Sequence, residues 1–168
     1  MDLRTGIKKA EHSSFYRWLL NRILWRAIPF NSPHSFLITK IAEGFVGLKI
    51  PFIRKNKNHI NGIHACALAT ASEYASGLCL MSLLSDKEYR IILKSIHMDY
   101  HFQGKTDIAL EYKLTDEFIQ QQIIMPLRSQ DAVLVKLIID SYDTQQKHIS
   151  TGTIEWQVKR WDKVKTKI

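Results

Sequence analysis

NHINGIHACALATASEYASGLCLMSLL, residues 58–84, is the stretch that decides the fold. It contains no proline, and small residues recur at Ala65, Ala67, Ala69, Ala71, Ala75 and Gly77. A helix with small side chains nearly all round lets other backbone approach on several sides, whereas a surface helix is apolar along one stripe. The stretch therefore predicts a long helix over about residues 62–84, held inside a curved sheet.

The flanking sequence supplies the strands. Before it, Phe36 to Ile38 and Phe45 to Phe52 read as two strands joined at Glu43-Gly44. After it, Tyr89 to Tyr100 is one long strand with a turn at Gly104. Ile108, Leu110, Tyr112 and Leu114 alternate along a second. Thr115-Asp116-Glu117 caps a short helix running to about Ile124, and two more strands cover Ala132 to Tyr142 and Ile149 to Trp161. The expected class is α+β, with antiparallel strands wrapped round one helix.

A further helix is expected at about residues 13–28, opened by Ser13 and Ser14 and stopped by Pro29. Its main apolar face is Tyr16, Leu19, Leu20, Ile23, Leu24 and Ala27, and Trp18 and Trp25 form a second stripe. Such a helix packs across a sheet or subunit contact more often than it lies on a membrane surface. Both readings are open at this level.

With 168 residues, the chain is expected to form a single domain spanning residues 1–168. The 24 Lys and Arg against 16 Asp and Glu give a net charge of +8, an attraction to polyanions that does not choose among them. Arg54, Lys55 and Lys57 form one cluster. Lys159, Arg160, Lys163, Lys165 and Lys167 form another, read as a solvated tail from about residue 162. The cations are not interleaved with aromatics along one strand face, which argues against a nucleic-acid partner. Cys66 and Cys79 are thirteen positions apart in the long helix, too far to bridge, and both are expected in the core. Met1 to Ser14 is polar, and Arg17, Arg22 and Arg26 break the apolar stretch behind it, so neither a signal peptide nor a stable membrane insertion is expected. The expected location is cytoplasmic. His97, Asp99 and His101 share a strand face but lack a further ligand, so no metal site and no separate cofactor are expected.

The opening of the long stretch then carries a resemblance. Asn58, His64 six positions on, and Glu73 nine further on resemble the signature of the PaaI-like hotdog thioesterases; the wider run looks like the DUF4442-type branch of that superfamily. The resemblance implies the hotdog fold, an acyl-CoA or acyl-carrier-protein substrate, and two composite sites at the boundary of a homodimer, with stacking into a tetramer left open. One departure stands out: Ala65-Cys66 occupies the place of a common Gly-Gly pair.

The residues support distinct roles. Nine positions set His64 and Glu73 about half a turn apart in direction and roughly 13 Å apart along a helix axis, so they cannot meet from one helix. Glu73 can meet Asn58 and His64 only from a second, antiparallel copy. The N–H of Ala65 at the positive helix end is the candidate oxyanion donor. Glu73 is the candidate base or nucleophile, Asn58 would position water or thioester, and His64 would support the loop or a substrate group. Asn61 and Gly62 of the same loop, with Arg54, Lys55 and Lys57 ahead of it, are the candidate substrate contacts, the cations for the phosphates of coenzyme A. A non-catalytic acyl-CoA binder is the alternative, which Ala65-Cys66 would suit. A hydratase is disfavoured because no H-F-P-G type loop is present.

Overall fold

Six antiparallel strands in the order β1-β2-β4-β5-β6-β3 form one sheet in the computed structural model, which describes residues 3–165. The strands are β1 Leu37–Ala42, β2 Phe45–Ile50, β3 Tyr89–Tyr100, β4 Ile108–Lys113, β5 Val133–Asp143 and β6 His148–Arg160. The helix α3, Ala65–Leu83, connects β2 to β3 and packs against β2 through β6. This is the long helix held in a sheet that the small-residue stretch predicts, and the hotdog arrangement that the resemblance implies.

Two contacts explain why that helix needs small residues. A Cβ on Gly77 would lie 3.1 Å from the Trp156 ring of β6, and one on Gly152 of β6 would lie 3.1 Å from Ser72 Cβ. Ser76 Oγ accepts from Trp156 Nε1 at 2.9 Å, so the indole that needs the gap is also tied to the helix. Inward-pointing residues alternate along β5 and β6, with Leu137, Ile139, Ile154 and Val158 nearly fully buried.

The N-terminal region differs from expectation in two ways. Leu3–His12 forms a helix, α1, in a segment read from sequence as merely polar. Only Gly6, Ile7 and Ala10 of α1 are buried, too few apolar positions to announce themselves. In α2, Ser14–Ala27, the buried side is Leu20, Asn21 and Leu24, while Ile23 is 42% exposed. Asn21 Oδ1 accepts from the Ile38 N–H at 2.8 Å and Asn21 Nδ2 donates to the Ile38 carbonyl at 3.1 Å. Trp25 Nε1 donates to the Phe36 carbonyl at 2.7 Å. The helix thereby occupies the backbone groups that β1 would otherwise leave open at its edge.

Other departures are local. The short helix after Thr115 is α4, Asp116–Ile119, which widens into a π turn at Gln120–Ile124 before Pro126. Cys79 is buried, and burial pushes its thiol pKa up to about 12, but Cys66 is exposed in the first turn of α3 and not in the core. Of the basic C-terminal cluster, Lys167 lies outside the described residues. Trp161–Lys163 form a solvent-exposed 3-10 turn. No helix of the described residues is long and apolar enough to cross a membrane.

Candidate active site

The loop ahead of α3 is built around Asn58. Its Oδ1 accepts from the N–H groups of Ile60 at 3.1 Å and Gly62 at 3.0 Å, and its own N–H donates to the Gly62 carbonyl at 2.8 Å. The turn closes through Asn61, whose φ of +59° lies in the left-handed region that Asn tolerates better than most residues. Gly62 is buried under Gln103, where an added Cβ would sit 2.5 Å from Cγ of that side chain. With both of its backbone groups bonded to Asn58, Gly62 shapes the loop rather than offering a group to a ligand. The Asn58 oxygen is likewise occupied, so the free end of its amide is the Nδ2 donor.

A second asparagine, not singled out in the sequence, anchors the loop to the body. Asn56 is fully buried; its Nδ2 donates to the carbonyls of His34 and Pro51, both at 2.9 Å, and its Oδ1 accepts from His34 Nδ1 at 3.0 Å. Its carbonyl accepts from the His64 N–H at 2.8 Å. A buried polar side chain with every group paired fixes its neighbours firmly. The only sequence signal was an Asn between two lysines, which reads as solvated loop.

His64 is the N-cap of α3. Its Nδ1 accepts from the Cys66 N–H at 3.0 Å, which in the neutral ring puts the proton on Nε2. Among the described residues no acceptor bonds to the Ala65 N–H, and Ala65 is exposed. An unpaired N–H in the first turn, at the positive end of a nineteen-residue helix, is a ready donor for developing negative charge. The Ala65 carbonyl is taken by the Tyr100 hydroxyl at 3.2 Å.

Three hollows surround this end of the molecule. Asn58 and Ala65 share one of about 340 Å³ with Tyr100 and Phe102. His64 shares another of about 260 Å³ with Lys55, Lys57, His34 and Phe30. Arg54 lines neither of them. The largest, an apolar cleft of about 450 Å³, runs along the α3 face carrying Cys66, Ala69, Thr70, Glu73, Gly77 and Met81, and adjoins the second hollow at Phe30, Cys66 and Thr70. Glu73 is the sole carboxylate in it, half-buried, and burial raises its pKa above the ordinary carboxylate value. Leu93 and Ile96 of β3 form the far wall.

Within one chain, then, Asn58 and Ala65 fall together, His64 joins Lys55 and Lys57, and Glu73 stands apart from both. His97 and Asp99 form an exposed pair 3.3 Å apart, while His101 turns to Thr151 Oγ1 at 3.2 Å. No cluster able to hold a metal occurs among the described residues.

The chain belongs to the family described as "Domain of unknown function (DUF4442)", which matches residues 16–158. No curated protein sequence matches it significantly. Its fold is shared with solved structures of low identity. A Pseudomonas aeruginosa protein described as a "probable thioesterase" is 23% identical, with a TM-score of 0.78 over 84% of this chain and 95% of that one. A thioesterase from Haemophilus influenzae is 11% identical, with a TM-score of 0.65 over 88% and 93%. A variant of a thioesterase from Staphylococcus aureus is 13% identical, with a TM-score of 0.62 over 78% and 98%.

Proposed function

We propose that this protein hydrolyses acyl thioesters, of coenzyme A or of a carrier protein, at sites shared between two copies of the chain. One observation carries the reading: the oxyanion donors and the carboxylate occupy different hollows of the same helix, and the strand beside that helix is an unpaired edge. Eight residues separate Ala65 from Glu73, about 12 Å along the axis. Two copies joined antiparallel through β3 set their α3 helices side by side and antiparallel, bringing Glu73 of each towards Ala65 of the other. The thioesterases among the structural neighbours support the same assignment.

The chemistry follows from the groups. The thioester carbonyl accepts from the Ala65 N–H and Asn58 Nδ2, which stabilise the oxyanion as water attacks. Glu73 takes the proton of that water, the C–S bond breaks, and the proton passes to the departing thiolate. Lys55, Lys57 and His64 Nε2–H face the anionic part of the substrate, and the adjoining apolar cleft receives the acyl chain. The Cβ of Ala65, where relatives commonly carry Gly, narrows the entrance and favours a slim acyl group.

Thiol release from short, medium, long and aromatic acyl-CoAs tests the proposal, with Glu73→Gln alongside. The variant should lose about 10³-fold in rate, within the range for a general base. Because Glu73 works as carboxylate and its pKa is raised, the wild-type rate should climb with pH above the ordinary carboxylate range. The same burial penalises the charged form in the fold, so Glu73 costs stability as pH rises through its folded pKa. Glu73→Gln should therefore raise Tm at pH 7 and leave it unchanged at pH 4. Tight binding of acyl-CoA without thiol release would turn the assignment to a binding protein.

A further inference from the structure

The solvent side of α2 is not a normal solvent side. At 100° per residue, Phe15, Arg22 and Arg26 point one way, with Trp18 flanking them on one side and Leu19 and Ile23 on the other. This direction is opposite to the buried Leu20, Asn21 and Leu24. Phe15 is 62% and Trp18 57% exposed, and their rings stack with centroids 6.0 Å apart. An outward helix face ordinarily carries mixed charges. Here the only charges are arginines, α2 contains no carboxylate at all, and neither Arg22 nor Arg26 has a carboxylate partner among the described residues.

We propose that α2 docks the protein on the surface of an anionic lipid bilayer, lying in the plane of the headgroups. Bulky aromatics with arginines and no acid complement such a surface, the aromatics entering the headgroup boundary and the guanidiniums meeting phosphates. Fourteen residues make a helix of about 21 Å, too short to span, so it lies along the membrane. In strand order β1, on which α2 packs, lies at the other end of the sheet from the bare β3 edge, so pairing through β3 and docking through α2 use different elements. The chain leaving α2 runs directly into the apolar cleft, where Ile28, Phe30 and Asn31 form part of the lining. Docking thus sets the cleft mouth beside the bilayer, while the docking surface itself does not depend on the hydrolase reading.

Sedimentation of the full chain with vesicles tests the docking, comparing phosphatidylcholine with phosphatidylcholine containing about one third phosphatidylglycerol at about 0.1 M salt. Partition onto anionic vesicles should exceed that onto neutral ones by about tenfold and weaken as salt rises. Phe15→Ser with Trp18→Ser should cut it by about tenfold, and Arg22→Glu with Arg26→Glu should abolish it. Circular dichroism confirms that each variant is folded, and the arginine pair serves if the aromatic pair is not. Absence of vesicle binding, or equal binding by wild type and a folded variant, overturns the proposal. So does retention on an acidic carrier protein through these residues when vesicles bind nothing.

Discussion

The two edges of the sheet are finished in opposite ways. At β1 the chain closes its own edge: Asn21 pairs with both backbone groups of Ile38, and Trp25 takes the Phe36 carbonyl. At β3, twelve residues with Ile92, Leu93 and Ile96 36–44% exposed have a neighbour, β6, on one side only. A long edge with exposed apolar residues, left bare in a protein that caps its other edge, is where the proposed pairing with a second copy would form. The difference separates an edge that the chain closes by itself from one that it leaves unpaired.

The strongest way to break that contrast is to charge the bare edge. Leu93→Lys with Ile96→Lys places like charges on both sides of the proposed two-fold contact. Association should weaken by about 10³-fold or more, measured by light scattering after gel filtration, with hydrolysis lost in parallel. A variant that stays dimeric would sink the β3 assignment. Asn21→Ala attacks the closed edge instead. It strips two partly or fully buried backbone groups of their partner and should cost about 2–3 kcal/mol in denaturant unfolding, with oligomeric state unchanged. A change of assembly in that variant would mean the two edges are not independent.

The finest probe mixes subunits. Asn58→Asp keeps the oxygen that bonds Ile60 and Gly62 but removes the Nδ2 donor, so the loop survives and the donor does not. Dimers formed at random from Asn58→Asp and Glu73→Gln chains should recover about a quarter of normal activity, since half are mixed and each mixed dimer holds one intact composite site. Recovery no higher than either parent would place donors and carboxylate in the same subunit.

Legibility in the sequence followed the range of the interaction responsible. The alternation along β4 and the small residues of α3 are local patterns, so those elements stood out. The N-cap of α3 was narrower than expected, because Asn58 to Gly62 is held as a closed turn and the helix waits until Ala65. Asn21 and Asn56 could not be found by pattern. Each looks like a solvated polar residue until a partner seventeen or twenty-two positions away arrives. Cys66 failed for the reverse reason: it lies on a helix otherwise full of core residues, but on the open cleft side. The family spacing pointed to Asn58, His64, Ala65 and Glu73 as a set, but not to the occupied Asn58 oxygen, which changes the atom available for chemistry.

The position of β3 also bears on how the chain is made. Its only strand partner among the described residues, β6, begins about fifty residues later. At roughly 5–20 residues per second of synthesis, β3 waits several seconds with neither edge paired. The strand on which the proposed assembly rests is thus the one that waits longest with neither edge paired, when neighbouring nascent chains on the same message present the identical sequence.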